Sequence, residues 1–378
     1  MMAYRRLRFA LAIMLMPVAL AHASAQDDAY IAGYAAGVLK HGLKLDMPPL
    51  NVRDGVITLP SGSLKAAEQA EAVQLLSEIP GVNAVKISQA TRTQSKDDTS
   101  GAFQVPGDET VSGTETIMLP TGLLPSGHLF KPLLADPRWA HFSAAYRNHQ
   151  NNNFDGKDIG AVSFGETIPF YRANIGQSTA QWEAGLQAGV FSDFNLGASS
   201  SDLVNTDFIA SLYSSLRVGQ FSAFARIFHQ SSHLGDEFLL RKIDSKFERV
   251  NLSYEGLDLR LSYELPFGVR IYGGGGGLFH REPSDLKIWS TQYGVEFRSP
   301  WRIDFAAMRP VAAVDIKNFE ENKWNTDVSA RAGVEFENST VLGRKLQIVV
   351  EYYNGFSPSG QFYNDKVEYV GLGAHYFF

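Results

Sequence analysis

Cysteine is absent from the 378 residues. That excludes disulfides, thiolate metal sites and a cysteine nucleophile. Long apolar runs are also absent once the first 25 residues are passed, which excludes an α-helical membrane protein. Positive charge is in deficit, with 34 Lys and Arg against 40 Asp and Glu. Such a balance offers nothing to a nucleic acid, and none is expected as a partner. Gly273 to Gly277 form an unbroken glycine run, but no Lys-Ser or Lys-Thr comes after it and no helical pattern is near. The run is therefore not read as a phosphate loop. Glycines in a strand make room for neighbouring side chains or for bends.

The N-terminus has the pattern of a secretory signal peptide over residues 1–25. Arg5, Arg6 and Arg8 precede an apolar stretch from Phe9 to Ala21, and Ala23-Ser24-Ala25 is a small-residue cleavage pattern. The apolar stretch is shorter than the roughly 18 residues a membrane anchor needs. The expected mature chain starts at Gln26. It lacks those three arginines, so 31 basic residues face 40 acidic ones, a net charge of −9. A chain exported without disulfides must draw its stability from burial, metal or a closed sheet.

Residues 26–90 read as a small α/β unit. Tyr30, Tyr34, Val38 and Leu39 lie at helical spacing, with Gly42 as the stop. LNVRDGVITL, residues 50–59, predicts two strands joined at Asp54-Gly55. A second helix is predicted over 64–79, with Ala67, Ala70, Leu75 and Ile79 near one face, and a strand over 80–87. The αββαβ order, with "DGVITL" in the hairpin and "IPGVNAVKI" at the end, resembles the BON domain, a small periplasmic module. That resemblance implies binding of lipid or cell-envelope components; a structural docking role is the alternative. Residues 91–136 read as a linker. The more apolar stretch at its end, residues 119–138, is expected to lie against the C-terminal part of the chain.

From 137 to 378 short alternating runs recur. Trp182, Ala184, Leu186, Ala188 and Val190 oppose Gln181, Glu183, Gly185, Gln187 and Gly189. Leu257, Leu259, Leu261 and Tyr263 oppose Asp258, Arg260 and Glu264. The polar face carries charges and glycines in strand after strand, as the lumen of a membrane barrel requires. About twelve strands are predicted, starting near Trp139, Ile159, Gln181, Asp207, Phe221, Val250, Gly268, Leu286, Ile303, Thr326, Leu346 and Val367. Connections alternate between short and long, so the short turns are assigned to the periplasm and the long loops to the outside. The last strand carries Val370, Leu372, Ala374, Tyr376 and Phe378 in phase. It resembles the assembly signal of bacterial outer-membrane proteins, which implies the barrel-assembly machinery as a partner. The expected fold is mainly β: a transmembrane antiparallel barrel in the outer membrane, with the N-terminal unit in the periplasm.

FHQSSHLGDE, residues 228–237, is the stretch with chemistry. Alternation from Phe221 puts His229 and Ser231 on the outer, lipid-facing side near the extracellular rim. Reading back from Leu257 on the next strand puts Asn251 on the same face. A serine needs a base to take its proton, and a third group to orient that base. The set resembles outer-membrane phospholipase A, a twelve-stranded barrel with a His-Gln-Ser run and an Asn on the next strand. His229-Gln230-Ser231 matches that run, and Asn251 in RVNLSY matches the strand Asn by position. The resemblance implies Ser231 as nucleophile, His229 as base and Asn251 as orienting residue. Barrel lipid A deacylases carry a similar His-x-Ser. Here Ser232-His233 stands where the phospholipase has Asn-Gly, and the loop before Asn251 is longer. The whole layout resembles an uncharacterised bacterial outer-membrane family, domain of unknown function 1207, a name that carries no activity.

The expected function is thus a serine-type acyl hydrolase acting on outer-leaflet lipid, with a homodimer among its expected partners. Its oxyanion donors would be backbone N–H groups near Ser231, or a calcium ion held by Asp236 and Glu237. The alternative is a non-catalytic barrel, either a narrow pore or an envelope anchor, plugged by Arg226, Asp258, Arg260, Glu296, Arg298, Arg331 and Glu335. A metal held by His229 and His233 together is disfavoured, because residues four apart on a strand are over ten ångströms apart, at about 3.3 Å per residue.

Overall fold

The structure, a computed structural model, describes residues 25–377 except 46–49, 54, 61–63, 65, 78, 89–115, 152–153, 155, 177, 243–249, 304 and 342–343. The expected signal peptide up to residue 24, Asp54 of the predicted hairpin turn, residues 91–115 of the predicted linker and the terminal Phe378 lie outside the described residues.

The N-terminal unit is built from α1 (Ala25–Gly42), β1 (Asn51–Arg53), β2 (Val56–Pro60), α2 (Ala66–Ser77), β3 (Ala84–Ser88) and β4 (Thr116–Met118). The sheet runs in the order β1-β2-β3-β4. Its β2–β3 pair is parallel and the others are antiparallel. Ile31, Ala35 and Leu39 of α1 pack with Val73 and Leu76 of α2 over Ile57, Leu59, Val85 and Ile87. The helical period of α1 matches the expectation and its phase does not. Tyr30 and Tyr34 are exposed and stack on each other at 6.0 Å, while Ile31 and Ala35 are buried. Gly55 has φ +72°, and a Cβ there would lie 2.4 Å from the Gly81 carbonyl oxygen. The turn between β1 and β2 therefore requires glycine.

Two residues, β5 (Gly122–Leu123), then join the rim of a barrel. Its strands are β6 (Phe142–His149), β7 (Asp158–Asn174), β8 (Gln181–Asn195), β9 (Asp202–Val218), β10 (Phe221–Leu234) and β11 (Leu252–Glu264). They continue as β12 (Val269–Glu282), β13 (Trp289–Arg298), β14 (Met308–Phe319), β15 (Thr326–Val341), β16 (Arg344–Phe356) and β17 (Lys366–Phe377). Each pairs antiparallel with the next, and β17 pairs with β6, so the twelve strands form a closed ring with no free edge. The glycine run lies inside β12, in a strand and not a loop. On the lumen side Gly276 leaves room for Asp258, whose Cβ would be 2.7 Å from an added Cβ.

Alternation sorts the side chains as expected. Gln181, Glu183 and Gln187 of β8 are buried in the lumen, whereas Trp182 is 38% exposed on the outside. Leu212 of β9, Leu257 of β11 and Leu372 of β17 are 50–66% exposed. Apolar side chains outside and charges inside invert the pattern of a water-soluble sheet, and a barrel wall in lipid requires that inversion. No helix among the described residues is long and apolar enough to cross a membrane.

The lumen is filled. Residues 119–141 enter at the end where the short turns lie, rise into the barrel and return to start β6. Arg172 of β7 is fully buried and holds the entrance by donating to the carbonyls of Pro120, Ser126 and Gly127 at 2.7–2.9 Å and to Glu183. Arg270 donates to the carbonyls of Lys131 and Pro132, and Arg331 to that of Leu134. Phe130, Leu133 and Trp139 pack on Tyr213, Phe224 and Tyr272 from the wall. At the top of this plug, Asp136 accepts from Lys317 at 2.5 Å and from Gln292 at 3.0 Å. Arg138 binds Asp207 and the carbonyl of Pro358. Pro358 belongs to the long loop between β16 and β17, which folds inward. There Ser359 donates to Asp193 at 2.5 Å, and Phe362 packs on Phe154 and Phe238. The apolar end of the predicted linker thus lies against the barrel, from within. Among the described residues the lumen keeps one cavity of about 330 Å³ at the short-turn end and another of about 200 Å³ at the long-loop end, and these two share no lining residue.

The charges predicted for the lumen are there, in pairs. Arg226 and Arg260 flank Asp258, Arg270 meets Glu296, Arg298 meets Glu335, and Arg331 meets Glu351. Where β17 meets β6 eight residue pairs are in register, between the six of β6–β7 and the fifteen of β7–β8. Inside this seam Arg147 donates to Glu351 at 2.8 Å, and His141 is 2.8 Å from His375.

Candidate active site on the outer face

Strand β10 is paired through its whole length with β9 and along nearly all of it with β11, so the direction of each side chain is fixed by register. Phe224 and Ser232 are buried inside, while Ile227 and His229 are exposed outside. His229 therefore faces the lipid side. Ser231 shares its parity and is half-buried. The neighbouring Ser232 points into the lumen and donates to Asp207 and to Asn205. It is structural.

Across the hairpin, His229 pairs with Glu255 of β11, and Ser231 with Ser253. The His229 Nδ1 lies 2.6 Å from the Glu255 Oε1. The other carboxylate oxygen binds His280 of β12. Asn251 lies one residue before β11 and is exposed. The register stops at the Ser232–Leu252 pair, and the imidazole nitrogen that an orienting residue would take is held by Glu255. His233 is exposed beyond Ser231 and packs edge-on against Phe208 at 5.8 Å, apart from His229.

The geometry fixes the tautomer of a neutral His229. A carboxylate only accepts, so the bonded Nδ1 carries the hydrogen and Nε2 keeps its lone pair. That is the arrangement a base needs in order to take a proton from a serine. Ser231 stands on the same face about 6.6 Å along the strand.

Asp236 and Glu237 open the short helix α3 (Asp236–Lys242), are exposed, and complement the positive end of its dipole. Among the described residues, no group of three or more His, Cys, Asp or Glu side chains could hold a metal ion.

The family model described as "Protein of unknown function (DUF1207)" matches residues 42–378. The chain belongs to this family. Among curated proteins none matches the sequence. Among solved structures, the barrel is similar to the outer membrane phospholipase A from Escherichia coli, at 14% identity over 66% of this chain and 94% of that one, with a TM-score of 0.45. It is similar too to the Salmonella typhi outer membrane phospholipase (OMPLA) dimer with bound calcium, at 14% identity over 64% and 91% with a TM-score of 0.46. The KdgM porin matches at 11% identity over 62% of this chain and 99% of that one, with a TM-score of 0.33.

Two residues of the site were not singled out from sequence. Glu255 was visible in principle, since the parity that leads from Leu257 back to Asn251 passes through it. An acid on an otherwise leucine-lined face is the signal. His280 was not visible, because it faces outward only through an irregularity in β12.

Proposed function

We propose that this DUF1207 protein is an outer-membrane acyl hydrolase that cleaves ester-linked chains of outer-leaflet lipids. The observation that carries the reading is the 2.6 Å hydrogen bond from His229 to Glu255 on the lipid-facing side, beside Ser231. In this reading the Ser231 Oγ attacks the acyl carbonyl carbon while His229 Nε2 takes its proton. Glu255 holds the ring and stabilises the imidazolium that forms. The tetrahedral intermediate collapses to an acyl-serine, and His229 returns the proton to the departing alcohol oxygen. Water, activated by the same imidazole, then releases the fatty acid and restores Ser231. Glu255 takes the orienting part that the resemblance gives to Asn251, and Asn251 is assigned none.

A polar rim by itself is ordinary. At another point of the same rim Tyr146 donates to Asp158 at 2.5 Å, beside Asn148, with neither an imidazole nor a serine in the group. The cluster on β10 and β11 differs in holding a base, a nucleophile and an acid in one row and the next.

The barrel sits in the outer membrane in this reading, with the long loops outside and the N-terminal unit, read as a BON-like envelope-binding module, in the periplasm. A non-catalytic anchor is the second reading. Its supporting observation is that only residues 119–121 separate β4 of the N-terminal sheet from β5 on the barrel rim. A pore is the less favoured form of that reading, given the plugged lumen.

The test is release of fatty acid from phospholipid and from lipid A by the folded protein, beside Ser231→Ala, with and without calcium. Loss of a catalytic serine lowers turnover by about 10⁴-fold or more. Release by the parent that vanishes in Ser231→Ala, with Ser253→Ala active, supports the hydrolase. No release by a correctly folded parent on any substrate returns the cluster to rim chemistry and favours the anchor.

A further inference from the structure

We infer that His280 is a positioning residue of this site, placed there by a β-bulge; the inference takes the hydrolase reading as its frame. In β12, strict alternation sends Tyr272 into the lumen and Ile271 outward. Continued without interruption it would send residue 280 inward with Tyr272. The register breaks between Glu255 and Gly256: Gly256 pairs with Leu278 and Glu255 with His280, leaving Phe279 unpaired. Phe279 is the extra residue of a bulge and is 63% exposed. The insertion turns His280 to the lipid side, opposite Glu255. Re-aiming a side chain is what bulges do beside functional sites.

The consequence is a row across three strands: His229 of β10, Glu255 of β11 and His280 of β12. One carboxylate accepts from both rings through its two oxygens. A glutamate with a single partner has free rotation about its last torsion, which is broad and soft. Held at both oxygens, the Glu255 carboxylate has one plane, and its Oε1 stays on the line to His229 Nδ1. His280 therefore acts on the reaction through Glu255, by keeping His229 in the tautomer whose Nε2 retains its lone pair. Its own Nε2 is not required to touch substrate.

Selective ¹⁵N-histidine NMR of the full chain in nanodiscs, with His229 assigned by His229→Ala, tests this without relying on turnover. The parent is expected to show His229 protonated at Nδ1. His280→Ala should shift the His229 ring nitrogens toward a mixture of tautomers, and His280→Gln, which keeps a donor at that place, should restore the parent signals. In parallel, His280→Ala should lower kcat by about tenfold with KM within about twofold, and His280→Gln should recover most of it; outer-shell partners are worth about 10–100-fold. Unchanged His229 signals in His280→Ala overturn the inference whatever the activity. Signals that respond in a parent with no hydrolytic activity uphold the positioning and sink the hydrolase reading. A folded parent that hydrolyses lipid, with His280→Ala equal to it in both readouts, sinks the positioning alone.

Discussion

The lumen and the outer face of this barrel use charge in opposite ways. Inside, arginines and carboxylates are dense, and the network is redundant: Glu351 alone meets Arg147, Arg331 and His375. Plug, wall and inward-folded loop share these pairs, so the lumen works as a core built from polar groups. Outside, apolar side chains face lipid, and the charged row on β10 to β12 rests on one glutamate between two histidines. Redundancy suits structure, since each ion is held from several directions. A site with a single acid and an imidazole nitrogen left as acceptor suits chemistry.

The largest expected effects test the inner half of that contrast. Glu351→Ala leaves Arg147 and Arg331 buried beside an empty place. Breaking a buried pair from one side costs about 3–5 kcal/mol, to be read from unfolding of the barrel in denaturant. Leu259→Arg puts a charge on the lipid side of β11. It should destabilise the folded barrel in bilayers by about 2–4 kcal/mol, whereas a wall that faced water would tolerate it.

The outer half is sharpened by a matched pair. Glu255→Ala should lower the turnover of lipid ester by about 10²-fold or more, in line with removal of the group that orients a catalytic histidine. Asn251→Ala should leave it within about twofold. The reverse order would return the orienting role to Asn251 and detach Glu255 from the chemistry.

The smallest effect expected is acid loosening of the plug. Burial by itself would raise the Asp136 carboxyl, but the Lys317 ammonium and hydrogen bonds from Lys317, the Arg138 backbone and Gln292 hold it well below the ordinary 3.8. Its folded value lies below its unfolded one, so its contribution is complete above about pH 4 and fades as pH falls further. The protection of residues 128–138 against hydrogen exchange, with the intrinsic pH dependence of amide exchange divided out, should fall below pH 4. Lys317→Met should abolish that dependence.

Much of this was legible because alternation is a strong signal in a sheet wet on one side and oily on the other. Gln181 and Phe221 begin their strands where the pattern puts them, and Leu257, Leu259 and Leu261 face outward as read. The first strand starts at Phe142 and not near Trp139, because Trp139 belongs to the plug. Ile303 makes only an isolated bridge to Met308, where β14 begins. The plug itself has no period to read, since its backbone is held by side chains from strands far away in sequence. The bulge at Phe279 defeats parity for the same reason that it matters.

The seam between β6 and β17 has a kinetic consequence. His141 and His375 are 234 positions apart, yet they touch across the joint that closes the ring. Every other wall pairing of the twelve strands joins neighbours in the chain and can form as each hairpin arrives. This one must await the last strand, whose eight residue pairs then come into register with the first. Long-range pairing of this kind is slow, because the entropy of loop closure is lost before the contact repays it. The polar cluster behind the seam gives the late-arriving strand a second set of partners, so the final step of folding is as much a docking event as a zipping one.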